Sequence, residues 1–138
     1  MVVREVPSGT QVFDWSVPKE WNIRDAWIKD SKGNKILDFK DNNLHVVGYS
    51  LLVNKKVNLE ELKTIIYTQP EQPDAIPYVT SYYKERYGFC MTQNQKNNLK
   101  EDNYHIFIDS ELKDGSLTYG EIIIPGDSNK EVFLSTYV

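Results

Sequence analysis

The chain has 138 residues, 40% hydrophobic and 26% charged, with a formal net charge of -4. That is room for one domain with a core of its own and a composition unlike disordered or fibrous chains. The acidic balance, with no basic run longer than Lys55-Lys56, excludes the phosphate-binding footprint of a nucleic-acid protein, and no apolar run approaches the roughly 20 residues of a membrane-spanning helix.

The N-terminus, Met1 to Glu5, lacks the charged-then-apolar layout of a secretory leader. A single cysteine, Cys90, forms no internal disulfide and suits a reducing, cytoplasmic setting. Val2 to Val17 reads as extended, broken by a turn at Pro7-Ser8-Gly9-Thr10. In Gln11 to Val17, alternation sets Phe13, Trp15 and Val17 on one side, predicted to be buried. Pro18 stops that strand. The strongest hairpin signal follows: Ala26 to Lys29, a turn at Asp30-Ser31-Lys32-Gly33-Asn34, and Lys35 to Phe39. A further turn at Asp41-Asn42-Asn43 feeds a predicted strand over Leu44 to Ser50, completing a β-meander.

Asn58 to Tyr67 is the best helix candidate. Asn58 can cap it, Glu60 and Glu61 sit at the positive end of the dipole, and Leu59, Leu62 and Ile66 share one face. Gln69 to Pro77 holds three of the six prolines and predicts a stiff, extended connector. A second short helix is predicted over Thr92 to Leu99 with Thr92 as its cap. The last third predicts three strands: Tyr104 to Ile108, Leu117 to Ile124 and Val132 to Val138, divided by turns at Lys113 to Ser116 and Pro125 to Asn129. The whole is an α+β chain, mainly β: an antiparallel β-meander or sandwich-like domain with one or two short helices. The apolar stop at Val138 marks it as a fragment.

The chemistry-bearing residues converge on no catalytic motif. His45, His105 and Cys90 stand apart, and metal chemistry needs several such ligands together. They read as packed or solvent-edge histidines and a structural thiol. Asp109, Glu111 and Asp114 cluster near a strand end and turn, where a solvated turn explains them more simply than acid/base work. Trp15, Trp21 and Trp27 with Tyr82, Tyr83 and Tyr87 form either packing or a platform for sugar rings. Arg86, between Tyr83 and Tyr87, is the residue best suited to an anionic group.

Several longer strings resemble a known family: Pro7-Ser8-Gly9-Thr10 with Val12-Phe13-Asp14-Trp15 and Val17 to Ile23, then Asn43 to Ser50, Pro70 to Tyr83, Tyr87-Gly88-Phe89-Cys90 and Ile108 to Glu121. Together they look like bacterial aminopeptidase-like proteins carrying a domain of unknown function, which are similar to co-catalytic zinc aminopeptidases. The resemblance covers essentially the whole chain. It implies that 1–138 is a single fragment with an inserted β-rich accessory domain over 21–99, framed by 2–17 and 104–138 as flanking strands of a peptidase-like sheet. The family's first zinc-binding stretch, Cys-His-Pro, would follow the strand ending at Val138, so this chain carries no catalytic residue, metal ligand or cofactor, and zinc is implied for the parent only.

The expected function is thus that of a non-catalytic accessory segment shaping or capping the substrate cleft of a zinc-dependent aminopeptidase-like protein. Tyr82, Tyr83, Arg86 and Tyr87 are the candidates for facing a peptide substrate. The alternative is a carbohydrate- or protein-binding β module using surface aromatics; a third reading is a parent that has lost peptidase activity. The expected partner is the rest of the parent chain, with no nucleic acid and no membrane. Exposed strand edges make self-association of the fragment an expectation.

Overall fold

The computed structural model describes residues 1–136. It is mostly β, with two short helices and antiparallel sheets. The central element is a four-stranded sheet built from β4 (Glu20–Lys29), β5 (Lys35–Asp38), β6 (Val53–Asn58) and β9 (Asn103–Lys113), in the order β5-β4-β9-β6. Period-two alternation decides its faces. Ala26 and Ile28 of β4, Val53 and Val57 of β6, and Tyr104, Ile106 and Ile108 of β9 point into the core. Trp27, Lys29, Asn54, Lys56, His105 and Phe107 stand on the other face, in register across the three strands.

The predicted hairpin forms, with Gly33 at φ 86 supplying the left-handed turn residue between β4 and β5. The strand that follows it in sequence does not. Asn43–His45 make one 3-10 turn capped by Asn42, and Val46 and Gly48 contribute only isolated bridges, to Phe89 and Thr80. Among the described residues no strand pairs on the free edge of β5, where a third meander strand would lie; β9 pairs instead on the far side of β4. Tyr104 onward therefore lies at the centre of the sheet that starts at Glu20, rather than in a flanking layer outside 21–99.

Both helices start at their predicted caps. In α1 (Leu59–Thr64), Oδ1 of Asn58 accepts from the amide of Glu61 at 2.9 Å and the Glu61 carboxylate accepts from the amide of Asn58 at 3.0 Å. Thr92 and Gln95 repeat the arrangement at α2 (Gln93–Asn97). α1 is shorter than its apolar stripe suggests, because Ile66–Tyr67 leave the helix as β7 and pair in parallel with β8 (Phe89–Cys90). Leu59, Leu62, Ile66, Phe89 and Met91 pack on the inner face of the sheet. The proline segment folds into consecutive turns instead of an extended connector. The amide of Gln72 donates to the carbonyl of Gln69 and that of Ala75 to Gln72, while Pro73 and Asp74 tie to Asn94 of α2.

A separate two-stranded ribbon joins β1 (Val2–Pro7) to β10 (Ser116–Glu121). Gly115 lets β9 pass into β10 against Glu20, because a Cβ there would fall 2.1 Å from the carboxyl carbon of that side chain. Gln11–Val17, expected as one strand, is instead a tiny hairpin of β2 (Gln11–Val12) and β3 (Trp15–Ser16). Its tip turns Phe13 outward, 97% exposed, so of the side predicted to be buried only Val17 is fully covered. Residues 122–136 carry no regular structure, and the run from Val132 shows no strand over 132–136; Tyr137 and Val138 lie outside the described residues.

Candidate functional site

An open groove of about 1080 Å³ runs between the β2–β3 hairpin, the Tyr82–Tyr83 turn and the start of β10. Trp15, Tyr82 and Tyr83 give it aromatic walls, and Gln11, Asp14, Lys19 and Asp114 give it polar and charged groups. Three remote segments meet here because the β4–β9–β10 path brings Asp114 back beside Pro18. Ser8 fastens the corner: its Oγ donates to the Pro18 carbonyl at 2.8 Å and accepts from the Gly115 amide at 3.1 Å.

Behind the groove the aromatics form a ladder. Trp21 stacks on Tyr49 with centroids 5.9 Å apart, Tyr49 meets Tyr82 at 4.6 Å, and Tyr82 meets Tyr83 at 6.3 Å. The foot of this ladder is pinned by the Trp21 indole, which donates to the Ser50 carbonyl at 2.9 Å. Burial pushes the Tyr49 phenol up from its ordinary range. Tyr49 has no signal of its own in the sequence; a positive backbone φ of 65 turns its ring into the ladder.

The four predicted substrate-facing residues divide. Tyr82 and Tyr83 line the groove. Arg86 turns inward: its Nε donates to Ser81 Oγ at 2.8 Å, its Nη1 to the Tyr67 hydroxyl at 2.9 Å, and its guanidinium lies over the Tyr67 ring. Tyr87 packs against the core with the Lys55 ammonium above its ring. The tryptophans divide as well, since Trp27 is on the outer sheet face, stacked on Phe107 at 5.0 Å.

The acids at the end of β9 are not a working pair. A bulge between Ile23 and Asp25 sets Arg24 beside them, where it forks onto Asp109 at 2.6 and 2.9 Å and reaches Glu111 at 3.6 Å. The Arg24 hydrogen bond holds the Asp109 carboxyl below its usual range. Asp114 is apart from both, at the groove.

Known proteins are similar to this chain in sequence and in fold. Residues 20–111 match the family described as "Domain of unknown function (DUF2172)". The chain belongs to that family. Over 135 residues it is 56% identical to a Clostridium acetobutylicum protein described as "Putative polysaccharide biosynthesis protein with aminopeptidase-like domain", covering 98% of this chain and 31% of the relative. A crystal structure described as that of a "putative peptidase" from Clostridium acetobutylicum superposes with a TM-score of 0.80 at 57% identity, covering 85% of this chain and 28% of the other. The DUF2172 chain thus spans less than a third of the length of either.

Zinc ligation does not fit the residues present. The buried His45 donates from Nδ1 to the Cys90 carbonyl at 2.8 Å, and His105 Nε2 lies 2.7 Å from Asn54 Oδ1. Burial pushes the Cys90 thiol up to about 11, so the thiolate that ligates metals or attacks carbonyls is disfavoured. Among the described residues no three histidines, cysteines or carboxylates gather. Among the same residues no helix is long and apolar enough to cross a membrane.

The groove rim stores backbone strain. Phe13 sits at φ 51 while 97% exposed, so its left-handed backbone is not offset by burial of the ring. Phe13→Gly should raise stability by about 0.5–1 kcal/mol, less than the full strain because glycine loosens the unfolded chain. Urea unfolding at unchanged m-value checks this; a fall in the midpoint would show that the Phe13 ring makes a stabilising contact.

Proposed function

We propose that this DUF2172 chain is a non-catalytic accessory segment of a longer aminopeptidase-like protein, walling or capping the substrate cleft with the groove between the β2–β3 hairpin and Tyr82–Tyr83. The observation that carries the reading is the groove itself, with its open aromatic wall and the charged groups Asp14, Lys19 and Asp114. Exposed rings give contact area at low ordering cost, and a flanking carboxylate suits the free ammonium of a peptide amino terminus.

The uncovered apolar residues support a place inside a larger body. Ile122, Ile123 and Ile124, then Val132, Phe133 and Leu134, are all exposed, a density that marks a surface made to be covered. The rest of the parent chain is the natural cover, and zinc chemistry, if the parent performs it, belongs there. In this reading the packed unit runs from Glu20 to Lys113 and the β1–β10 ribbon connects it to the parent, in a cytoplasmic protein.

The test uses the full-length protein. Tyr82→Ala/Tyr83→Ala should raise KM for aminopeptidase substrates by roughly tenfold, as the loss of two stacking contacts worth about 0.5–1.5 kcal/mol each. Metal content should be unchanged. Unaltered kinetics on a good substrate would remove the groove from the cleft.

A second reading is favoured by one feature, the interleaving of ring faces with hydrogen-bonding groups at Trp15, Tyr82, Asp14 and Gln11, which also suits sugars. Oligosaccharides that change tryptophan fluorescence, in a parent with no peptidase turnover, would select the carbohydrate-binding module over the accessory wall.

A further inference from the structure

The outer face of the central sheet holds a second feature, remote in character from the groove. Cross-strand register places Lys29 of β4, His105 of β9 and Lys56 of β6 side by side in one row. These residues line a pocket of about 440 Å³ together with Asp30, Ser31, Gly33 and Asn103. Each lysine stands directly opposite His105, so two ammonium groups gather on this face and their charge calls for a counter-charge.

The same face shows what a self-sufficient row looks like. Asp25 and Asp109 are also directly opposite, and the chain supplies their cations: Arg24 forks onto Asp109 and Lys40 reaches Asp25 at 3.6 Å. In the basic row His105 Nε2 already lies 2.7 Å from Asn54 Oδ1, and the two ammonium groups receive no equivalent counter-charge. Asp30, the acid nearest to it in the lining, spends its oxygens on its own turn, accepting from the amides of Lys32 and Asn34 and from the Asn34 side chain. Asp102 is likewise held by the amide and hydroxyl of Ser31. Among the described residues neither Lys29 nor Lys56 makes an ion pair; the Lys29 ammonium rests 4.2 Å from the centre of the Trp27 ring.

We propose that the Lys29–His105–Lys56 row is an anion-binding site that takes a diphosphate group. Three adjacent strands spread the two ammonium stems over about 10 Å at the backbone, with the imidazole between them. That spacing fits two linked anionic groups better than one carboxylate, and lysine serves phosphate as a flexible point charge. Trp27, stacked on Phe107 and lying under the Lys29 ammonium, places an indole beside the row. The site is separate from the groove and does not depend on its reading.

The experiment is titration of the full-length protein with inorganic pyrophosphate at low ionic strength, read by calorimetry and by the indole signal of Trp27. Saturable binding should weaken by at least roughly tenfold in Lys29→Ala and again in Lys29→Ala/Lys56→Ala, the loss expected for each charged hydrogen bond removed. Lys63→Ala/Lys96→Ala, which removes the same charge from the two helices, should bind like the parent. Circular dichroism checks that each variant is folded, and a Lys56→Gln variant provides a milder substitution should the double one unfold. Uridine diphosphate and vesicles carrying farnesyl diphosphate then separate a nucleotide from a lipid source. Absence of pyrophosphate binding, or equal affinity in the Lys29/Lys56 variants, would overturn the site and point to an acidic segment of the longer chain as the neutralising group.

Discussion

Phe89→Ala should lower the unfolding free energy by about 3–5 kcal/mol, the range for deleting a buried aromatic ring. Phe89 is fully buried and is the largest of the completely covered side chains. Its backbone is held as firmly as its ring: the amide donates to the Ile65 carbonyl at 2.9 Å, β8 pairs with β7, and an isolated bridge reaches Val46. The ring therefore fills the space where α1, the 3-10 segment and the sheet meet, and the surrounding chain has little freedom to collapse into the cavity. Equilibrium denaturation of Phe89→Ala against Tyr83→Ala makes the comparison, since Tyr83 is 80% exposed and its loss should stay within about 0.5 kcal/mol. A Phe89→Ala penalty no larger than that of Tyr83→Ala would mean that the core is not organised around β8.

Arg86→Ala should cost about 1.5–3 kcal/mol of stability, a larger effect than any direct loss of substrate contact. Its guanidinium joins Ser81 and Thr80 on one side to Tyr67 of β7 on the other, so it braces the turn that presents Tyr82 and Tyr83. Removing it leaves the Tyr67 hydroxyl without that donor and frees the turn from the core. Arg86→Lys should fail to restore the loss, because one ammonium cannot occupy the same fork. In full-length protein the two roles separate by comparison with Tyr83→Ala, which should change KM with little change in thermal midpoint, whereas Arg86→Ala should move the midpoint first. An Arg86→Ala protein of unchanged stability but raised KM would place Arg86 at the substrate after all.

How much of the site is readable in the sequence depends on which forces position each residue. Tyr82 and Tyr83 stand out as an unusual density of rings, and they do line the groove. Arg86 looks like a substrate residue in sequence because its partner Tyr67 is 19 residues away, and no local rule reports where a long side chain finds its hydrogen bonds. Tyr49 is hidden, since its β-branched surroundings favour an ordinary strand over Leu44–Ser50. That run pairs only through isolated bridges, Val46 to Phe89 and Gly48 to Thr80, and Asn42 and the Asn43–His45 turn draw its start elsewhere. The Phe13 side looks buried by alternation alone, yet two residues at the tip are too few to carry an apolar face inward.

By itself the amino-acid sequence determined what is settled within a few residues. The two capping boxes, the hairpin around Gly33 and the in-out alternation of β9 all follow from local geometry and side-chain reach. Only the tertiary structure decided that β9 lies between β4 and β6, because strand partners are chosen by burial across the whole chain and not by neighbours in sequence. That choice gathers Trp15, Tyr82 and Asp114 into one groove and lines up Lys29, His105 and Lys56 on the opposite side of the sheet from the core. Both candidate sites are made of residues far apart in sequence, so neither exists until the sheet has formed.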